Sequence, residues 1–209
     1  MSAISYSRHK TYDPLLRLVH AWNAGAIVML AATVWLSGLF EFGSARKSLW
    51  QFHIYLGYAL IVGVAARLAW GMVGPTHARF SDLWHPTAWR NVLLRRLRPV
   101  QRLGHDALAS AAYLVVYVLL LLMAGTGLAL ASIEHGMGPF APWLTDMSWL
   151  KGTLKPPHKF AYDALMAFAV VHVGALVWHE SRHQTPIAQS MVSGFQYRVI
   201  EEDEDQQHA

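Results

Sequence analysis

The chain has 209 residues, of which 54% are hydrophobic, 12% aromatic and only 14% charged, with a formal net charge of +4. A soluble domain of this length carries about a quarter charged residues, so a chain this apolar needs lipid to cover it, and no nucleic acid is expected as a partner. The absence of cysteine excludes disulfides, thiolate metal sites, iron–sulfur clusters and covalently attached c-type haem, and leaves twelve histidines as the common soft ligands.

In chain order, Met1 to Asp13 is polar and no small-residue cleavage pattern follows it, so no cleavable signal peptide is expected. Leu18 to Phe40 is free of formal charge, and a hydrocarbon core takes about 20 helical residues, so 18–40 reads as a span. A second apolar segment covers about 49–74, interrupted only by Arg67. The third covers 107–133 and is the cleanest, with the run from Tyr113 to Met123 at its centre. The fourth covers about 157–178, carrying Lys159 and Asp163 only in its first turns. With no linker-like stretch, residues 1–209 read as one domain: an all-α, integral membrane four-helix bundle. The acidic run Glu201 to Asp205 makes 197–209 a disordered tail by expectation. The segment 76–105 reads as partly amphipathic, with its role in lipid contact or partner docking open.

Four spans put both termini on one side. That side holds Arg8, Lys10, Arg17, Arg79, Arg90, Arg95, Arg96, Arg98, Arg102, Arg182 and Arg198, and the other holds Arg46, Lys47, Lys151, Lys155 and Lys159. The excess makes the terminal side, with both termini, cytoplasmic in a multi-pass membrane protein. Trp70, Trp84, Trp89, Trp143, Trp149 and Trp178 fall near span ends, where an interfacial aromatic belt accounts for them.

Ligand-capable residues inside a span are costly and need a reason. His158 and His172 are fourteen residues apart, close to four helical turns, so both leave one face about 21 Å apart along the axis. His20 lies just inside the cytoplasmic end of span one, and His53 just inside the outer end of span two. His20 and His172 therefore share an inner depth, and His53 and His158 an outer one. Two haem irons, each with an imidazole on both faces, require this arrangement, and such ligation suits electron transfer better than oxygen binding. A single histidine in an apolar segment is more often a hydrogen-bonded packing residue than a ligand; it is the four together, paired in depth, that point to ligation. A zinc or copper site would instead gather its histidines at one depth.

Arg67 follows His53 by fourteen residues, on the same face and at the inner depth, where its guanidinium could pair with a haem propionate. A snorkelling side chain is its other reading. Gly25, Gly57 and Gly174 leave room near the ligands, or serve close helix packing. His179 shares a face with His172 and stands in reserve as an inner ligand; His105 beside Asp106 suits a helix start.

At these residues the chain resembles the prokaryotic di-haem cytochromes b, the group that holds the b-type cytochrome subunit of nickel–iron hydrogenases and bacterial cytochrome b-561. The matching pieces are Tyr12-Asp-Pro14 with Arg17 and His20, Ser37-Gly38, the run from His53 to Gly57, and the run from Arg67 to Gly74. Gly125-Thr-Gly127, His158, His172, Glu180 to His183 and Met191 to Gly194 follow in order, so the likeness covers about residues 10–195. The C-terminal pieces favour the hydrogenase-like branch. The run His20-Ala-Trp22 departs from the pattern, in which Trp follows the histidine directly.

The resemblance implies two haems b stacked across the bilayer, with His53 paired to His158 and His20 to His172. It also implies electron transfer between a membrane quinone near the inner haem and an extracytoplasmic redox protein, either hydrogenase-like or a c-type cytochrome. On this reading the chain is an electron-transfer subunit of an oxidoreductase complex in a respiratory chain. Lipid of a bacterial cytoplasmic (inner) membrane is its surroundings, and a second copy of the chain is left open as a partner. The alternative is a quinol-dependent oxidoreductase acting directly on superoxide or ferric iron, for which Lys151, Lys155 and Lys159 beside His158 would supply an anion-attracting patch. A haem-free anchor or transporter, with the histidines as a proton relay, is the third reading.

Overall fold

The computed structural model describes residues 6–84, 86–94, 107–183 and 188–199. Backbone groups in hydrocarbon have no water to bond, so each apolar run closes its hydrogen bonds internally as a helix. Strand β1, Tyr6–Lys10, precedes helix α1, Pro14–Ser37, and helix α2, Ser44–Val73. Two 3-10 turns (Thr76–Ala78 and Phe80–Leu83) and the short helix α3, Pro86–Leu93, lead to α4, Ala107–His135. Then come α5, Ala141–Leu144, a 3-10 turn at Ser148–Leu150, and α6, Lys151–His183. Helix α7, Ala188–Ser193, and strand β2, Phe195–Val199, end the described chain. Four helices, α1, α2, α4 and α6, are long and apolar enough to cross a membrane.

Local chemistry sets the helix ends. The Asp13 carboxylate accepts from the Leu16 amide at 3.0 Å, and Pro14 occupies the first turn, where its missing N–H costs nothing. The same carboxylate accepts from Trp70 Nε1 at 3.2 Å, tying the start of α1 to the end of α2. Helix α6 begins at Lys151, ahead of Pro157, and runs through Pro156 and Pro157. The two prolines remove rungs of the helical ladder only near the span mouth.

Helices α1 and α2 pack as one hairpin and α4 and α6 as a second, with α2 and α4 in contact between them. The core lies at mid-height, where Ala26, Leu60, Val64, Leu120 and Leu165 meet. Outward residues are left bare, Trp35 at 80% and Val170 at 74% exposure, as helices facing lipid on most sides require.

The two described ends of the chain meet. Strands β1 and β2 pair antiparallel, from Tyr6 opposite Val199 to Lys10 opposite Phe195. The amides of Thr11 and Tyr12 donate to the Gly194 carbonyl at 3.0 and 3.1 Å. Arg17 donates from Nη1 to the Ser193 carbonyl at 3.2 Å and from Nη2 to that of Val192. The Arg8 guanidinium lies 3.5 Å above the Phe195 ring. This clasp corrects the expectation of disorder from residue 197: through Val199 the chain is a strand. An even number of spans returns both ends to one side, where each satisfies the other's backbone. The acidic run from Glu201 lies outside the described residues, as do His105 and residues 95–106 of the long connecting segment.

Gly194 has φ +85°, and a Cβ there would stand 2.8 Å from the Tyr12 carbonyl oxygen. Gly194→Ala should therefore destabilise the protein by about 1–2 kcal/mol, seen as a lowered midpoint of thermal unfolding in detergent. An unchanged midpoint would mean that the clasp adds no stability.

Candidate functional site

The four span histidines come together as two pairs, and each pair takes one member from each hairpin. His53 on α2 and His158 on α6 line the same cavity, near enough for the two imidazoles to interact electrostatically. His20 on α1 and His172 on α6 are likewise near enough to interact. The first pair lies at the end of the bundle far from the clasp, the second near it. Leu165, in the core, sits midway between His158 and His172 on α6, so the apolar centre of the bundle separates the two pairs. Among the described residues no three His, Asp or Glu side chains converge on one point.

The far pair is the better enclosed. His53 Nδ1 lies 2.8 Å from Thr33 Oγ1 of α1, and His158 Nδ1 lies 2.8 Å from Thr126 Oγ1 of α4. Each hairpin thus holds its own far histidine. Trp50 meets the His53 ring edge-on at 5.5 Å. Both imidazoles line a cavity of about 980 Å³ with an apolar body that includes Leu30, Ile61, Val64 and Met123. Its rim carries Arg46, Lys151, Lys155 and Lys159, with Glu134 as the acidic member. Lys155 Nζ pairs with Glu134 Oε1 at 2.7 Å, and Lys151 Nζ stands 3.7 Å from it. Arg46 Nη1 donates to the carbonyls of Phe40 and Glu41 at 3.2 and 2.8 Å.

Near the clasp, His172 stacks on Phe168 with ring centroids 5.7 Å apart and planes at 13°, and His20 is exposed. Arg67 lies beside two rings that pack edge-on, 5.5 Å from the centroid of Phe80 and 5.7 Å from that of Tyr117. Its Nη1 is buried and has no hydrogen-bond partner. A Cβ at Gly25, Gly57 or Gly174 would meet nothing within 4 Å. His179 is half-buried and already engaged in an interaction of its own.

The far site fits a haem b on its own chemistry. Two imidazoles from different hairpins line one apolar cavity of adequate volume, and cations at its mouth suit two propionates. Gly127 borders the slot so closely that a Cβ there would stand 3.3 Å from His158 Cε1. A four-helix membrane bundle with imidazoles paired at two depths is the architecture of a haem-carrying membrane cytochrome. The comparisons place it more narrowly: residues 11–194 match the family model described as prokaryotic cytochrome b561, and the chain belongs to that family.

Among curated relatives, the chain is similar to a probable Ni/Fe-hydrogenase B-type cytochrome subunit of Azotobacter chroococcum, 25% identical over 92% of this chain and 89% of that one. The equivalent from Cupriavidus necator is 26% identical over 88% of this chain and 85% of that one. The probable Ni/Fe-hydrogenase 1 B-type cytochrome subunit of Escherichia coli K12 is 24% identical over 90% of each chain. No solved structure matches. The chain is thus a haem-binding cytochrome b of electron transport in a prokaryotic membrane.

Sequence reasoning missed Thr33, Thr126 and the Glu134–Lys155 pair. The depth arithmetic that aligned the histidines would have found the threonines. Thr33 lies thirteen residues after His20 on α1, about 20 Å along the axis, and Thr126 sits inside Gly125-Thr-Gly127.

Overpacking a site of this kind costs about 1–3 kcal/mol. Gly127→Leu should therefore weaken haem retention by about tenfold, measured as pyridine haemochrome per chain after detergent washing. Wild-type retention would show that the slot beside His158 is not the cofactor's.

Proposed function

We propose that this cytochrome carries two haems b, one between His53 and His158 and one between His20 and His172, and conducts electrons across the membrane. The observation that carries this is the pairing itself: four imidazoles in an apolar bundle fall into two neighbouring pairs separated by a hydrophobic centre. Haem b supplies one-electron chemistry when bound. The histidines would hold it, and the rim residues Arg46, Lys151 and Lys155 would receive its charged propionates at the far site. At the clasp-side site Arg67, with its buried unpartnered Nη1, is the donor for a propionate.

The orientation follows from the loop cations, eleven on the clasp side against five opposite, which puts the clasp and both termini in the cytoplasm. The quinone pool exchanges electrons near the cytoplasmic haem, and a redox protein outside exchanges them at the far one. The printed names of the relatives make a hydrogenase-like protein the favoured partner over a c-type cytochrome. The open, cationic rim of the far cavity also suits a second reading, a quinol-dependent oxidoreductase acting directly on superoxide or ferric iron. Purified protein consuming superoxide or ferric iron with no partner present would select that reading.

His53→Ala and His158→Ala should each lose the same haem, and His20→Ala and His172→Ala the other, leaving about half the wild-type haem per chain. Reduced-minus-oxidised spectra with haem quantification check this; an alanine variant that keeps both haems removes that histidine from the ligand set. In membranes, added quinol should still reduce the haem left in His53→Ala and fail to reduce the one left in His172→Ala. The reverse pattern would move the quinone to the other side.

A further inference from the structure

The far histidines differ from the clasp-side pair in their hydrogen bonds. A threonine hydroxyl has one proton to give. Thr33 Oγ1 gives its proton to the Leu30 carbonyl at 2.6 Å, and Thr126 Oγ1 gives its own to the Leu122 carbonyl at 2.6 Å. With that proton committed, each oxygen can only accept from the imidazole nitrogen 2.8 Å away. His53 and His158 must therefore carry their hydrogen on Nδ1, which leaves the lone pair on Nε2. Two threonines on different helices reach the same result by the same route. At the other depth, neither His20 nor His172 makes a side-chain hydrogen bond among the described residues, and His172 is oriented by stacking on Phe168 instead.

We infer that Thr33 and Thr126 are positioning residues that select the Nε2-ligating tautomer of His53 and His158 and lower the reduction potential at the far haem alone. The inference rests on the proposed ligation by these two histidines. An imidazole that donates through Nδ1 is held at one ring angle and is the more basic, more electron-donating ligand. A more donating ligand favours the oxidised iron. The clasp-side ligands lack this bond, so the two sites are tuned by different means although both are bis-imidazole.

The test uses the purified holoprotein, with a redox titration that resolves both haems. Valine matches threonine in shape and removes the hydroxyl. In Thr33→Val and in Thr126→Val the far haem should become easier to reduce by about tenfold in its equilibrium, about 59 mV for one electron, while the other haem stays put. Thr33→Ser and Thr126→Ser keep a hydroxyl able to bond the preceding turn and should restore the wild-type value. Loss of the far haem in the valine variants with retention in the serine variants supports the same assignment. Unmoved midpoints, equal movement of both haems, or serine variants that behave as valine would overturn it. Failure of the underlying reading looks different: His53→Ala would then keep both haems, whatever the threonine variants do.

Discussion

A hydrogen-bonding group in hydrocarbon has no water to fall back on, and that constraint organises this molecule from backbone to site. The main chain meets it by forming long helices. The few polar side chains within the spans meet it by finding each other or a free carbonyl. Thr33, Thr126 and Ser132 donate to the preceding turn of their own helices, and Trp22 Nε1 donates to the Ala59 carbonyl of the neighbouring helix at 2.9 Å. What stays unsettled after this accounting is informative. Arg67 Nη1, Asn23 Oδ1 and Tyr58 OH are buried within the spans without a hydrogen-bond partner, and the Nε2 edges of His53 and His158 point their chemistry elsewhere than into the protein's own hydrogen bonds.

Helix α6 is the ruler of the assembly. It alone carries a histidine at both depths, and Leu165 between them belongs to the apolar centre. The partners come from the two helices of the other hairpin, His53 from α2 and His20 from α1. Direct packing is extensive within each hairpin and thinner between them. A ligand bridging either histidine pair therefore joins two units that otherwise share the mid-height core, the α2–α4 contact and the clasp. Cofactor affinity in such an arrangement is also folding energy, because a group that binds only the assembled bundle stabilises assembly.

Much of this was legible in the residues. Apolar run length gave the spans, because hydrocarbon thickness dictates helix length, and fixed helical rise gave the two depths of His20, His53, His158 and His172. These are local rules, readable from one segment at a time. The clasp was not legible: Phe195–Val199 alternates apolar and polar residues but Tyr6–Lys10 does not, and their pairing depends on nearly the whole chain lying between them. The threonine contacts were missed for another reason. Thr and Ser in membrane helices commonly satisfy themselves on the preceding turn, so nothing in their identity announces a second bond to an imidazole one helix away. Only the depth match of Thr33 with His53, and of Thr126 with His158, carries that signal.

The two ends of the bundle are built to opposite purposes. At the clasp end, backbone pairing, the Arg17 bonds and the Asp13–Trp70 contact lock the chain around the start of α1. At the far end the helices open onto a cavity whose rim is made of long, flexible cations balanced by Glu134. Exposed ion pairs of that kind hold little energy and rearrange readily, so the rim can yield to an approaching negative surface while the threonine-anchored imidazoles beneath it stay still. On the proposed function and orientation this adaptable face looks outward, to the side where the proposed redox partner would dock and leave. The rigid end looks to the cytoplasm, where the chain ends meet. A rigid ligand frame under a yielding rim keeps the donor–acceptor distance constant while partners come and go, and constant distance is what an electron conduit needs most.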